Sequence, residues 1–152
     1  MDYIFTFLLS MTPIGELRLA VPIGMQRYGL PWYGVFPVAV IGNLVPAVFW
    51  LLVLPRLGRF MTSFPNPIGK LLLWRSERLR KQNAERFHRY GALALTLLVA
   101  VPLPLTGVWT GSLAAWGFEI PFRRALPPIA LGAIISGTAV TGLTVLGVFV
   151  AE

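Results

Sequence analysis

The net charge of this 152-residue chain is confined to one stretch, and long uncharged runs flank it. Residues 32–54, 90–118 and 125–151 contain no Asp, Glu, Lys or Arg, giving runs of 23, 29 and 27 residues. A bilayer core about 30 Å thick needs about 20 helical residues. The first and third runs read as transmembrane helices. The second is long enough to span, but Pro102, Pro104 and Gly107 interrupt it. A fourth run, residues 3–15, has 13 uncharged residues and contains Pro13. Only 12% of the chain is charged, and its mean hydropathy is +0.72. A soluble domain this small cannot bury so much apolar surface. The expected class is therefore an all-α, multi-pass integral protein of the cell membrane, with 1–152 as a single membrane domain.

The net charge of +7 falls entirely between Pro55 and Tyr90, where nine basic residues face only Glu77 and Glu85. The rest of the chain balances Arg18, Arg27, Arg123 and Arg124 against Asp2, Glu16, Glu119 and Glu152. The positive-inside rule makes residues 55–89 cytoplasmic. Within them, residues 68–90 carry Leu71, Leu72, Trp74, Leu79 and Phe87 among the basic residues. That pattern predicts an amphipathic helix lying on anionic lipid of the inner leaflet, after a turn containing Pro65, Asn66 and Pro67. His88 belongs to its solvated face. The flanking apolar runs argue against nucleic acid as the partner of this basic run. The N-terminus has Asp2 and no basic leader region, so it does not read as a signal peptide.

The two interrupted segments divide into half-length pieces. Residues 3–11 and 17–28 flank Thr12-Pro13; residues 90–101 and 108–118 flank the second break. At 1.5 Å per residue each piece is about 13 to 18 Å long, half a bilayer. Such pieces suit re-entrant hairpins, which enter and leave on one side. Charge parity agrees, because re-entry places Arg123 and Arg124 with the cytoplasmic loop. A shift of 90 positions pairs Pro31 with Pro121, Pro37 with Pro127 and Gly42 with Gly132, and one further residue pairs Pro13 with Pro104. The expected plan is two inverted repeats, 1–54 and 90–152. Each is a re-entrant broken hairpin followed by a transmembrane helix, and the basic linker 55–89 joins them. Inverted repeats of this kind are common in secondary transporters, with the site at the midplane.

Glu16 and Arg18 are the sharpest candidates for a substrate or proton site, because ionisable groups inside membrane segments usually face a cavity or a partner. Low dielectric favours the neutral form of Glu16 and a nearby arginine favours the carboxylate. The structural alternative makes Thr12 an N-cap, Pro13 a first helical residue and Glu16 a first-turn acid. Arg18 is two residues from Glu16, so a helix does not make them neighbours. It is expected to reach across to the second hairpin or an anion; pairing with Glu119 or hairpin carbonyls is the alternative. In the second break, Thr106 is a candidate cap, with Trp109 and Thr110 beside it. Both half-helix N-termini would then point at the membrane middle and favour an anionic ligand. Asn43 is a lone amide in a transmembrane run, placed either to bond across helices or to touch substrate. Arg123 and Arg124 complete the candidate set. Small residues along the last helix, Gly132, Ser136, Gly137 and Gly142, fit tight packing or a homodimer. The chain has no cysteine and one histidine, and no nucleophile–base pair or metal-ligand cluster is legible. Neither an enzyme nor a cofactor is expected.

Three motifs carry a family resemblance. Thr12-Pro13-Ile14-Gly15-Glu16-Leu17-Arg18-Leu19-Ala20-Val21-Pro22-Ile23-Gly24 resembles a P-x-x-E-x-R-x-x-x-P-x-G signature of the small multidrug export protein family. Gly42-Asn43-Leu44-Val45-Pro46 resembles its G-N-x-x-P element, and residues 101–111 resemble its P-x-P-x-T-G-x-W-T-G element, with Leu105 where a glycine is more usual. The family is distantly similar to the DedA or VTT-domain superfamily, whose arginine–proline–glycine stretch Arg123-Arg124, Pro127 and Gly132 resemble. The resemblance implies a small exporter, and if burial dominates at Glu16 that residue is its proton-coupling site. The wider group implies a flippase or scramblase for an anionic lipid such as a polyprenyl phosphate. A non-transporting membrane scaffold is the third reading.

Overall fold

The computed structural model describes residues 1–63, 67–103 and 106–147, without the side chains of residues 72, 75, 76 and 79–89. Among the described residues there are six α-helices and no strand: α1 (Asp2–Met11), α2 (Glu16–Pro22), α3 (Trp32–Thr62), α4 (Pro67–Ala100), α5 (Val108–Gly117) and α6 (Phe122–Val145). A π-helical turn, Ile23–Arg27, extends α2. The helix class and both breaks agree with the sequence reading.

Helices α3 and α6 are long and apolar enough to cross a membrane. Their exteriors fit that environment. Ile41, Val45, Phe49 and Leu52 of α3 point outward, as do Leu131, Ile134 and Ile135 of α6, Ile4 and Leu8 of α1, and Leu93 and Leu97 of α4. Polar side chains lie inside instead: Thr6, Ser10, Asn43, Ser112, Ser136, Thr141 and Thr144 are buried. Several satisfy themselves on the preceding turn, as Ser112 does on the Val108 carbonyl at 2.8 Å and Thr144 on the Val140 carbonyl at 2.7 Å. An apolar exterior over small polar contacts is the arrangement lipid selects, because hydrocarbon gives helices no hydrophobic reason to associate. Location in a membrane follows.

Three boundaries differ from the sequence reading. Helix α3 does not stop at Leu54; it runs through Pro55, Arg56 and Arg59 to Thr62. Basic residues are good helix formers, so the onset of charge marks a change of solvent and not a helix end. For the same reason no separate amphipathic helix precedes the second hairpin. Residues 68–90 and the hairpin's first arm form one 34-residue helix, α4. The last helix ends at Val145, with Gly147 at φ 72°, short of the expected 151. Residues 65, 66, 104, 105 and 152, and the side chains of Arg75, Arg80, Lys81, Arg86, His88 and Arg89, lie outside the described residues.

The first hairpin begins and ends at the same end of the molecule. Phe5 near the start of α1 meets Tyr28 at the end of the π-turn, ring centroids 5.7 Å apart. The Tyr3 ring also abuts Gly34 at the start of α3. At the other end, Trp116 of α5 lies against Gly58 of α3.

The halves also match locally at a near-constant offset. At 90 positions, Tyr28 (φ −99°, ψ −3°) corresponds to Phe118 (φ −97°, ψ 8°), Gly29 (φ 63°) to Glu119 (φ 55°), and Pro31 (φ −69°, ψ 142°) to Pro121 (φ −67°, ψ 154°). Thr6 donates to the Asp2 carbonyl and Thr96 to the Ala92 carbonyl, both at 2.9 Å. Gly42 lets α3 approach α1 at Phe7 and Ser10, as Gly132 lets α6 approach α4 at Thr96 and Val99. In the returning arms the offset is 91: Leu17, Ala20 and Gly24 are buried like Val108, Gly111 and Ala115. The π-turn absorbs the difference. Leu30 N–H reaches back six residues to Gly24, whereas Ile120 N–H reaches back five to Ala115. One extra residue per turn is what a π-bulge inserts. The packing is also reciprocal, with α2 on α6 and α5 on α3.

Candidate functional site

The two breaks meet, and side chains from each hold the other. Break 1 follows α1, whose C-cap is Thr12. Its Oγ1 donates to the Leu9 carbonyl at 2.8 Å and accepts from Gly15 N–H at 3.0 Å. Thr12 is therefore a C-cap, not the N-cap read from sequence. Helix α2 then starts on Glu16, at φ 41°. A left-handed glutamate is uncommon and strained. The strain is offset by what the carboxylate reaches: the backbone N–H of Trp109, in the first turn of α5, bonds to it. Glu16 is 7% exposed. An acid on the positive end of a helix is favourable, but the helix is α5, not the α2 that carries Glu16.

Gly107 is the reason the carboxylate fits. Its φ of 145° suits glycine, and a Cβ there would land on the Glu16 carboxylate. Thr106 is not the cap of α5; Gly107 occupies that position without a side-chain bond. The Thr106 hydroxyl turns back to the Val101 and Leu103 carbonyls, both at 2.8 Å.

Arg18 reaches across to break 2, as its spacing from Glu16 suggested. Its guanidinium donates to the carbonyls of Leu103, Val101 (3.2 Å) and Thr106 (2.6 Å), and to the Thr106 hydroxyl (2.9 Å). The carbonyls closing α4 and its break thus receive a cation, the favourable sign for a helix C-terminus. Arg18 Nε stays buried without a partner. Of the two structural alternatives, the hairpin carbonyls and not Glu119 are the partners seen among the described residues.

Trp109 returns the grip. Its indole N–H donates to the Met11 carbonyl, at the end of α1, at 3.3 Å. Trp109 stands 91 positions after Arg18, and Met11 stands 90 before Val101, one of the carbonyls Arg18 holds. The two donors are equivalent in position and reciprocal in target. Sequence reading placed Trp109 among the candidates of the second break; its offset of 91 from Arg18 was the available signal for this bond. The Trp50 ring packs against it at a tilt of 58°, centroids 5.4 Å apart, with its own indole N–H buried and unpartnered.

The remaining candidates divide. Asn43 is 2% exposed, and its carboxamide oxygen has no partner, so the expected bond across helices is not made through that atom. Thr110 follows Trp109 on α5 and has an interaction of its own. Arg123 and Arg124 are exposed in the first turn of α6, at the hairpin's base rather than at the breaks. A cavity of about 550 Å³ lies near that base, lined by Pro55, Arg59, Leu73, Leu113, Trp116 and Glu119 among others. Sequence reading missed this cavity.

No curated protein and no solved structure matches the chain. A family model does, across residues 16–139, from the first residue of α2 through the second break and most of α6; its description reads "Putative small multi-drug export protein". The chain belongs to the small multi-drug export protein family.

Proposed function

We propose that this protein is a small secondary exporter whose transport site lies where the two hairpin breaks meet at the membrane midplane. The observation that carries the reading is the concentration of Glu16 and Arg18 at that junction. A buried acid and a half-buried cation are costly in lipid and are kept where they act on a substrate, a proton or a moving element. In this reading the hairpins are re-entrant and the halves are inverted repeats, supported by the shared ends of the first hairpin and the offsets of 90 and 91. Glu16 exchanges a proton with the transport path and, in doing so, loosens or restores its hold on the N-terminus of α5. Arg18, Asn43, Thr106, Trp109 and Thr110 surround the path, and Arg123 and Arg124 lie at its cytoplasmic base. The natural bias of this charge set is toward an anionic substrate, as in a DedA-like lipid flippase; the family description favours drugs.

A second reading has its own support. Arg18 spends most of its donors on backbone carbonyls, which is what a structural brace does. A scaffold without transport would keep both charges for that purpose.

The test is reconstituted transport of a polyprenyl phosphate and of a cationic dye, with and without a pH gradient, for wild type and Glu16→Gln. The exporter reading expects gradient-dependent flux of at least one substrate, with the dependence abolished in Glu16→Gln. No flux of either, from a protein that inserts and folds, favours the scaffold.

A further inference from the structure

The cavity at the base of the second hairpin is separate from the breaks and does not enter the transport reading. One face of α3 supplies Pro55, Gly58, Arg59 and Thr62, a spacing of three and four residues that lines one side of a helix. Helix α5 supplies Leu113 and Trp116, and the turn into α6 supplies Glu119, Ile120 and Pro121. The volume of about 550 Å³ is that of a ligand pocket. Gly58 shapes it, since a side chain there would press on the Trp116 indole. The walls are mainly apolar, and Trp is a residue enriched at the membrane–water interface.

The charge around this cavity is mainly positive. Arg59 commits only its Nε, to the Pro55 carbonyl at 3.4 Å, and forms no ion pair among the described residues. Arg56 is exposed beside it, and Arg123 and Arg124 follow Pro121 directly after Phe122. Glu119 is the lone acid among the lining residues, and it has an interaction of its own. This is also the end of α3 that leads into the stretch holding the chain's whole charge excess.

We infer that this cavity seats an anionic phospholipid, its headgroup on Arg59 and an acyl chain against Pro55, Leu113 and Trp116. An apolar pocket with a cation at its mouth matches an amphiphile with a negative head; a free phosphate would leave the apolar walls unused. The inference is independent of the exporter reading, because a bound lipid requires no transport.

The experiment uses the full-length protein in nanodiscs, with Trp116 as the only tryptophan and Trp32, Trp50, Trp74 and Trp109 replaced by Phe. Brominated phosphatidylglycerol or brominated phosphatidylcholine is titrated as quencher. Quenching by the glycerol lipid should be half-maximal at a mole fraction about fivefold lower, the effect of one basic group on one anionic headgroup. Arg59→Gln should bring the two curves together. Superimposable curves for the parent, or an unchanged preference in Arg59→Gln, would overturn the proposal. Because the tryptophan replacements touch the breaks, native mass spectrometry of the unaltered protein supplies a second readout. Wild type and Arg27→Gln, altered at the opposite end, should each retain one phosphatidylglycerol more than Arg59→Gln; equal retention by all three would also overturn it.

Discussion

Break 1 and break 2 occupy equivalent positions in the two halves yet are built from different chemistry. The first contributes Glu16 and Arg18; the second, at the offset of 91, contributes Gly107 and Trp109. Each break donates a hydrogen bond to the carbonyls that end the other's preceding helix. Only the first does so with a charge, and only the second is bare enough to receive a carboxylate. A symmetric pair would place two acids and two bases at one point in a low-dielectric interior, where like charges repel and every unpaired one is costly. Dividing the roles avoids that, and leaves one titratable acid at the junction. The lesson is that matched backbones can carry complementary and unequal side chains.

The comparison breaks most severely at Gly107. Gly107→Ala puts a methyl group on the Glu16 carboxylate at a backbone angle that favours glycine. The expected cost is about 3 kcal/mol or more, read as loss of monodisperse protein in detergent and a collapsed thermal midpoint. Gly142→Ala is the control, because no atom lies within 4 Å of that position; it should leave stability unchanged or raise it by up to about 1 kcal/mol.

The next effect separates the charged donor from the neutral one. Arg18→Met strands several carbonyls of break 2 and leaves Glu16 unopposed, at a cost of about 2 to 3 kcal/mol. Trp109→Phe loses one bond to Met11, worth about 1 kcal/mol. Thermal unfolding in one detergent ranks them, and equal losses would mean that the charge adds nothing to the brace.

The smallest effect on the fold is expected from Glu16→Gln. The amide oxygen still accepts from Trp109 N–H, so stability should change by less than about 1 kcal/mol. Its large effect should be on the pH dependence of transport. A Glu16→Gln protein whose flux responds to pH as the wild type does would move the proton site away from break 1.

Much of this arrangement was legible in the residues. Prolines and glycines mark both breaks because they interrupt regular helix, and the spacing of Arg18 from Glu16 already sent it across to the other hairpin. What stayed hidden has physical causes. Nothing in residues 89–91 stops a helix, so α4 continues through a change of solvent that looks like a boundary. The π-turn leaves no composition signal, because one added residue changes a hydrogen-bond step and not a side-chain type. The destination of Glu16 depends on a tertiary approach, permitted by a glycine 91 residues away. The cavity beside Arg59 forms only when α5 returns to the end of α3.

The central claim is that both broken hairpins re-enter the side they came from and meet tip to tip. The chain has no native cysteine, so single cysteines at positions 2, 77 and 124 report directly on sidedness. Labelling of intact cells or oriented vesicles with a membrane-impermeant maleimide should reach position 2 from outside and positions 77 and 124 only from inside. Position 124 labelled from the outside would mean that the second hairpin spans the bilayer, and would contradict the account.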